Sequence, residues 1–222
     1  MRLLDLCSGI GGFSLGLEWS GFETVAFCEW DEDCRKVLDK HWPEVPKYAD
    51  VTELTKKRLD DDGIRNIRSI CGGYPCQPFS LAGKREGAED DRHIWPDIAR
   101  LLREFINDGE PIEWCIFENV YGHISMGLDD VLVELEDLNY SWWAFVIPAS
   151  AVGAIHERKR VWIIAHANSF RAKRLQHELG ELGQVGQGGA VDEENCFNHV
   201  ANANANGKRQ SGSGRTIYPS RS

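Results

Sequence analysis

Short apolar runs alternate with amphipathic stretches along the first part of the chain. Three runs near the N-terminus predict buried strands at residues 2–6, 24–28 and 67–71. Apolar residues at helical spacing begin at Phe13 after the first run, and the stretch 31–41 after the second run starts with Asp31 in the position of an N-cap. Both stretches therefore predict helices.

The same alternation continues to about residue 168. Two further helical stretches and three further strand-like runs are present, at residues 94–105, 131–138, 112–117, 142–147 and 161–165. Strands that alternate with helices are typical of an α/β fold, in which a mostly parallel sheet carries helices on both faces. We therefore expect residues 1–167 to form a domain of this class.

Two segments lack this pattern. Residues 180–190 are rich in Gly and Gln, an Ala-Asn repeat covers 201–206, and the last residues are polar. Such a composition buries little apolar surface, which predicts a poorly ordered region at 168–222. Residues 81–91 are rich in Gly and charge, and they predict a mobile surface loop.

The composition limits the class of protein. The seven cysteines stand at irregular spacing without close Cys/His doublets, which favours reduced thiols and predicts no metal site. The sequence shows neither a signal peptide nor a long apolar run, so we expect a cytoplasmic protein without a membrane partner. The net charge of −10 argues weakly against nucleic acid as a partner, but a locally basic face would still allow DNA binding.

A glycine-rich turn joins the first predicted strand to the first helix. Gly9, Gly11 and Gly12 allow a close backbone approach to a nucleotide-like cofactor. An acid about 20 residues further on commonly binds ribose hydroxyls, and Glu29 stands in that position with Trp30 beside it to lie against an adenine. The spacing differs from Gly-x-Gly-x-x-Gly and from a P-loop, which favours an adenosine ligand without phosphates, such as S-adenosylmethionine. The alternative is a tight turn beside a surface carboxylate.

Residues 75–78 read Pro-Cys-Gln-Pro and follow the apolar run 67–71 after Gly-Gly-Tyr. The prolines fix φ and keep the segment out of a helix, while the glycines before them permit a tight turn. A thiol held in such a loop is a candidate nucleophile, which would be Cys76. The alternative of a core cysteine is our interpretation for Cys7, Cys28 and Cys115. Five tryptophans are interpreted as mostly core residues as well: Trp95, Trp114, Trp142, Trp143 and Trp162.

Taken in chain order, these motifs resemble the sequence blocks of the DNA (cytosine-5) methyltransferases. The blocks span residues 3–165. They are Asp5-Leu6-Cys7-Ser8-Gly9-Ile10-Gly11-Gly12-Phe13, Glu29-Trp30, Asp50-Val51, Gly73-Tyr74-Pro75-Cys76-Gln77-Pro78-Phe79-Ser80, Glu118-Asn119-Val120, and Gly153 with His156, Arg158 and Arg160, where His stands for the usual Gln. The resemblance implies the Rossmann-like fold of S-adenosylmethionine-dependent methyltransferases and methyl transfer to carbon 5 of cytosine in DNA. It also implies a bacterial or phage origin.

The resemblance also implies roles for single residues. Cys76 would add to carbon 6 of cytosine, Glu118 would hold N3 of the base, and Arg160 would contact its carbonyl oxygen. Arg158 would help to place the base, the nucleophile loop or a phosphate. The residues expected to bind S-adenosylmethionine are Asp5, Cys7, Gly9, Gly11, Gly12, Phe13, Glu29, Trp30, Asp50, Val51 and Pro75.

The target atoms are buried in double-stranded DNA, so the cytosine would have to flip out of the helix. Residues 81–93, in the segment that follows Cys76, would form a loop that closes on the DNA, with basic side chains on phosphates. The candidate DNA contacts of this segment are Gln77, Ser80, Lys84, Arg85 and Arg92. The alternative for this segment is an ordinary solvated loop. Glu118 could instead cap a turn, Asp50 could be a turn residue, and Arg158-Lys159-Arg160 could be a solvated basic cluster.

The family's target recognition region and its last two blocks are not found in the sequence. We therefore expect residues 168–222 to be an incomplete recognition region, and the chain to be shortened or completed by another chain, and otherwise a monomer. Two other hypotheses stay open: a remnant that only binds cofactor or DNA, and an RNA cytosine methyltransferase. The recognised DNA sequence and the role, in restriction-modification, phage protection or regulation, also stay open.

Overall fold

The computed structural model of the chain describes residues 1–75 and 94–170. Its elements, in chain order, are β1 (Arg2–Leu6), α1 (Gly12–Glu18), β2 (Glu23–Cys28), α2 (Glu32–His41), β3 (Lys47–Tyr48), α3 (Lys56–Asp61), β4 (Ser69–Gly72), α4 (Trp95–Asn107), β5 (Trp114–Val120), α5 (Leu128–Asp137), β6 (Tyr140–Pro148) and β7 (Lys159–Ala167). Two 3₁₀ helices, Tyr121–Ser125 and Ala149–Val152, follow β5 and β6. In the described ranges, no helix has both the length and the apolar composition needed to cross a membrane.

The seven strands of the described residues form one sheet, in the order β3-β2-β1-β4-β5-β7-β6. The pairings from β3 to β5 are parallel, whereas β7 runs antiparallel to both β5 and β6. The segment between β6 and β7 is too short for the helical crossover that a parallel pair would need. The predicted α/β fold with a mostly parallel sheet is confirmed.

The path of the chain across the sheet places helices on both faces. From β1 to β3 the chain moves towards one edge, and from β3 to β5 it moves back past β1 towards the other edge. Crossovers between parallel strands are right-handed, so α1 and α2 lie on one face while α3 and α4 lie on the opposite face. The direction reverses between β1 and β4, and in such sheets ligands bind beside the carboxyl ends of the strands at this point.

Each predicted strand and helix is present, with ends displaced by a few residues. Strand β3 and helix α3 were not predicted, because two and six residues are too few to show a hydrophobic period. A local signal for α3 was present in Thr55, whose side chain accepts a hydrogen bond from the Arg58 backbone N–H at 3.1 Å. The domain division at residue 167 and the incomplete recognition region stay predictions, since residues 171–222 lie outside the described ranges.

The two faces of the β5–β7 pair differ in burial. On one face, Cys115, Phe117 and Ile163 are fully buried in the same core cluster as the apolar side of α4. Along β5 and β7, buried side chains alternate with half-buried ones. Because neighbouring side chains of a strand point to opposite faces, the half-buried residues belong to the other face of the sheet.

That other face, which we call the open face, carries large apolar side chains. The register aligns Ile116 with Ile164 and Trp143, and it aligns Trp162 with Phe145 in the next row. Trp143 and Phe145 are 49% and 46% exposed, so the described residues supply no covering layer here. The interpretation of the tryptophans as mostly core is therefore wrong for Trp143, although it is right for the buried Trp95.

A first prediction concerns Gly72, which pairs with Leu6 between β4 and β1. A Cβ atom at Gly72 would lie 2.6 Å from the Leu6 carbonyl oxygen, and this backbone atom cannot move without disturbing the strand pairing. We expect Gly72→Ala to lower the free energy of unfolding by about 1–3 kcal/mol in urea titrations. Gly16→Ala is the matched control: it lies inside α1 with nothing within 4 Å of an added Cβ, and it should raise stability by about 0.5–1 kcal/mol. Equal effects of the two substitutions would contradict the close approach.

Candidate active site

The turn after β1 has the tight geometry that its glycines predicted. Gly9 and Gly11 have φ angles of 54° and 88°, in the left-handed region that favours glycine. A Cβ atom at Gly11 would lie 2.6 Å from the ring of Trp42, so the position lacks both the space and the conformation for a side chain. Helix α1 begins directly after this turn.

Glu29 faces this turn from the end of β2. Its Oε2 accepts a hydrogen bond from the Gly9 backbone N–H at 2.6 Å, and its Oε1 accepts one from the Asp31 N–H at 2.8 Å. Both contacts fix the orientation of the carboxylate, and each oxygen keeps a lone pair that can accept a ribose hydroxyl. The neighbouring Trp30 is 80% exposed, which leaves its ring accessible to an adenine. The residues present therefore fit an adenosine group.

Asp50 and Val51 follow β3, whose neighbour in the sheet is β2. The Oδ1 of Asp50 accepts hydrogen bonds from the backbone N–H and the hydroxyl of Thr52, both at 2.8 Å. Asp50 thus stabilises its own turn, as the alternative interpretation of this residue predicted. It lies after the carboxyl end of β3, as Glu29 lies after that of β2. Val51 is buried, and its carbonyl accepts a hydrogen bond from Arg100 at 2.9 Å. Contacts of Asp50 and Val51 with a cofactor stay predictions.

Asp5 on β1 is fully buried and bound to α1. Its Oδ2 accepts hydrogen bonds from the Ser14 hydroxyl at 2.7 Å and from the Ser14 N–H at 3.3 Å. Burial raises the pKa of Asp5 to about 7, although the hydrogen bonds from Ser14 oppose that effect. In the structure Asp5 anchors the start of α1 to the end of β1, while its contact with the cofactor stays a prediction.

Glu118 and Arg160 form an ion pair where β5 lies against β7. The Nε of Arg160 donates to Oε1 of Glu118 at 2.7 Å, and about a quarter of each side chain is exposed, 22% and 24%. Burial raises the pKa of Glu118, and the charges of Arg160 and Arg158 act in the opposite direction. Arg158 is exposed and has a positive φ of 35°. The structure therefore brings together three of the four residues predicted to be catalytic.

The exit of β4 joins this pair to the glycine turn. A Cβ atom at Gly73 would lie 3.3 Å from Oε2 of Glu118 and 4.0 Å from the ring of Phe13. The ring of Phe13, just after the glycine turn, also packs against Trp162, with centroids 5.4 Å apart. The carboxyl ends of β1, β4 and β5 thus meet at the point where the strand order reverses. Pro75 is exposed beside this junction.

The remaining predicted residues lie outside the described ranges: Cys76, Gln77, Ser80, Lys84, Arg85 and Arg92. Burial raises the pKa of Cys7 to about 12, with Glu29 and Asp5 adding to the effect. Burial also raises the pKa values of Cys28 and Cys115, which agrees with their interpretation as core residues. Within the described part of the chain, no cluster of His, Cys, Asp and Glu has the arrangement of a metal site.

Three side chains near the junction had no role predicted from the sequence. The side chain of Asn119 donates to the Tyr74 carbonyl at 3.0 Å, and the Tyr74 hydroxyl lies 2.9 Å from Nε2 of His123. Tyr74 and His123 stand 49 residues apart in segments without a hydrophobic period, so only the fold relates them. Asn119 was noted only as part of a motif.

The model of the family described as C-5 cytosine-specific DNA methylase matches residues 1–211. The chain is 34% identical over 181 residues to the type II methyltransferase M.HhaI of Haemophilus parahaemolyticus, covering 79% of this chain and 52% of that relative. It is similar to the solved structure of DNMT2 from Spodoptera frugiperda, with a TM-score of 0.62 and 25% identity, over 75% of this chain and 50% of that one. The S. pombe Dnmt2 methyltransferase shares the fold, with a TM-score of 0.64 and 22% identity over 76% and 51% of the two chains.

These matches confirm the family predicted from the motifs, its methyltransferase fold and S-adenosylmethionine as the family's cofactor. They also show how much of each relative's length this chain covers. The chain spans 52% of the Haemophilus relative and 36% of the type II methylase M.HgiEI of Herpetosiphon aurantiacus. The activity, substrate and partners of the longer proteins therefore remain proposals for this chain.

A second prediction uses the raised pKa of Asp5. An aspartate of the unfolded chain loses its proton near pH 3.9, about its ordinary pKa, whereas the folded protein keeps it up to about pH 7. Between these values unfolding releases a proton, so the contribution of Asp5 to stability falls as the pH rises, by up to about 1.4 kcal/mol per pH unit. We expect the difference in free energy of unfolding between the wild type and Asp5→Asn to fall over this range and to level off above it.

Urea unfolding at a series of pH values measures this difference. Ser14→Ala is the matched variant, because it removes the hydroxyl that lowers the pKa of Asp5. It should move the upper end of the titration to higher pH. A wild-type-to-Asp5→Asn difference that is constant with pH would show that Asp5 is charged in the folded protein.

Proposed function

Because the chain belongs to the C-5 cytosine-specific DNA methylase family, we propose that it transfers a methyl group from S-adenosylmethionine to carbon 5 of cytosine in DNA. The observation that carries this proposal is the junction of Gly73, Glu118 and Arg160 beside the glycine turn. It places an acid and a guanidinium next to the exit of β4, from which the Cys76 segment continues. A cytosine there would have the methyl donor on its other side, at Glu29 and Trp30.

Carbon 5 of cytosine is a poor nucleophile because the ring is aromatic. In the proposed mechanism the thiolate of Cys76 bonds to carbon 6, which breaks the double bond between carbons 5 and 6 and gives carbon 5 enamine character. Carbon 5 then takes the methyl group, and the electron pair of the broken bond stays on the donor's sulfur. Water then takes the proton from carbon 5, and the electron pair of that C–H bond re-forms the double bond as the thiolate leaves carbon 6, which restores the aromatic ring.

Glu118 would assist by holding N3 of the base. Thiolate addition places negative charge on the ring, and a hydrogen bond or proton from a carboxyl at N3 stabilises that charge. The raised pKa of Glu118 favours the protonated form that this role requires. Arg160, bonded to Glu118 through Nε, would direct its guanidinium towards the carbonyl oxygen of the base. Arg158 is exposed beside them, where a base or a phosphate can reach it.

The groups that would hold the methyl donor lie around the turn after β1. Glu29 would accept the ribose hydroxyls, Trp30 would stack on the adenine, and the backbone of the turn at Gly9 would permit close approach. When bound, S-adenosylmethionine supplies an electrophilic methyl group on a sulfonium. The cytosine would reach it by flipping out of duplex DNA, with basic residues of the loop after Cys76 on the phosphates. We expect the methyl transfer to occur in the cytoplasm of a bacterium or of a phage-infected cell.

A specific observation supports a completing chain. The open face leaves Trp143 and Phe145 about half exposed, and the longer relatives contain a large further part that this chain does not match. We therefore include in the proposal that further polypeptide, on this chain or another, packs on the open face. If no such polypeptide completes the chain, the alternative function is that of a remnant that binds cofactor or DNA but does not transfer methyl groups.

A third prediction tests the chemistry with a library of duplex oligonucleotides that carry 5-fluorocytosine, which blocks the last step and traps the adduct. We expect a covalent adduct that maps to Cys76 and is lost in Cys76→Ala, while binding of S-adenosylmethionine in calorimetry survives. Glu118→Gln should slow adduct formation by about 10²–10⁴-fold. The matched control is Glu113→Gln, whose carboxylate pairs with Arg68 at the opposite end of β5, and which should leave the rate unchanged.

The outcomes separate the hypotheses. An adduct at another cysteine, or methyl transfer by Cys76→Ala, contradicts the assignment of the nucleophile. An adduct with tRNA but not with DNA favours the RNA methyltransferase, and cofactor binding without any adduct favours the remnant. Adduct formation by this chain alone would show that the chemistry needs no completing chain.

A further inference from the structure

Three buried polar side chains connect the exit of β4 to the segment after β5. Asn119 donates to the backbone carbonyl of Tyr74 at 3.0 Å, and the hydroxyl of Tyr74 lies 2.9 Å from Nε2 of His123. Tyr74, Asn119 and His123 are 4%, 3% and 5% exposed. These two bonds hold residue 74 at its carbonyl and at the far end of its side chain, and both partners lie within residues 119–123.

The surroundings of the pair are aromatic. The ring of Tyr74 packs against Trp95 and Phe117, with centroids 5.4 Å and 6.0 Å apart, and Trp95 packs edge-on against Phe117. A phenylalanine and a leucine would fill such a site without the need to satisfy a hydroxyl and an imidazole, whose burial is unfavourable unless they are hydrogen-bonded. The polar pair adds what apolar packing lacks, a directional bond that fixes the rotation of the ring.

We infer that the hydrogen bond between Tyr74 and His123 is a positioning device, which fixes the start of the Cys76 segment relative to Glu118. Glu118 directly precedes Asn119, and Cys76 follows Tyr74 by two residues, which an extended chain spans in about 7 Å. Together with the bond from Asn119 to the Tyr74 carbonyl, this bond ties the start of the Cys76 segment to the stretch of chain that follows Glu118. This inference rests on the proposed function, and it assigns Tyr74 and His123 as positioning residues that do not touch the substrate.

The geometry matters because the proposed reaction needs the thiolate and the acid on one base at the same time. A displacement of about 1 Å in a reacting group lowers rates by about 10²-fold. If the bond fixes the start of the segment, its loss should affect the rate of the chemical step and leave the binding of S-adenosylmethionine at Glu29 unchanged. A role in packing alone would instead lower stability without changing the rate of the folded molecules.

The test uses four variants of the full chain: Tyr74→Phe, His123→Leu, the double variant and His123→Gln. The matched control is Tyr140→Phe. Its hydroxyl is also buried and donates to a backbone carbonyl, that of Ile112, at 2.8 Å, but it lies at the opposite end of the strands from Glu118. All are compared under conditions where unfolding curves show them fully folded.

The first measurement is deuterium exchange of the peptide that spans the exit of β4. This measurement does not require the chain to have methyltransferase activity. Tyr74→Phe and His123→Leu should each speed exchange there, the double variant should match either single variant, and Tyr140→Phe should not change it. His123→Gln, whose amide nitrogen can replace Nε2, should return exchange towards the wild-type rate. Unchanged exchange in both single variants, or additive effects in the double variant, would overturn the inference.

The second measurement is the rate of adduct formation with duplex DNA that carries 5-fluorocytosine. Tyr74→Phe and His123→Leu should each slow it by about tenfold or more, with unchanged affinity for S-adenosylmethionine and with recovery in His123→Gln. Faster exchange with an unchanged rate would overturn the positioning role. Failure of the proposed function would show differently, as the absence of adduct in the wild type, and the exchange measurement would then still decide whether the bond holds the exit of β4.

Discussion

Two adjacent glycines at the exit of β4 allow three strand ends to meet, and the candidate site depends on that meeting. The Leu6 carbonyl leaves no room for a Cβ atom at Gly72, and the Glu118 carboxylate lies close to where a Cβ atom of Gly73 would be. Since neither position carries a side chain, the turn after β1 and the acid on β5 approach the same point from two sides. A side chain at either position would push one of these partners away from the start of the Cys76 segment.

The two carboxylates of the site are held in different ways, and this difference matches the proposed roles. Glu29 accepts two backbone N–H groups, which fixes it as an acceptor for hydroxyls. Glu118 lies against Arg160, and burial raises its pKa. The overall charge of −10 does not decide against DNA, because Arg158, Lys159 and Arg160 gather at the start of β7 beside this acid.

Most of the framework could be predicted from the sequence because apolar period and turn chemistry are local. The glycine turn and Glu29 could be paired across 20 residues because a known strand–turn–helix arrangement relates them. The hydrogen bond between Tyr74 and His123 could not be predicted from the sequence, since it depends on which strands become neighbours. Trp143 was misjudged for a related reason: a tryptophan in an apolar strand predicts burial, but the layer that would bury it is not among the described residues.

The open face bears on the chemistry as well as on stability. Its rows run across three strands, and one of them contains Glu118, Trp162 and Phe145 in register. Trp162 also packs against Phe13, so this row touches both the acid and the end of the glycine turn. A layer of protein over Phe145 and Trp162 would remove water from the row that contains Glu118. Because burial is the main cause of the raised pKa of Glu118, such a layer would raise this pKa further. A completing chain would therefore influence the proposed reaction without contributing a reacting group.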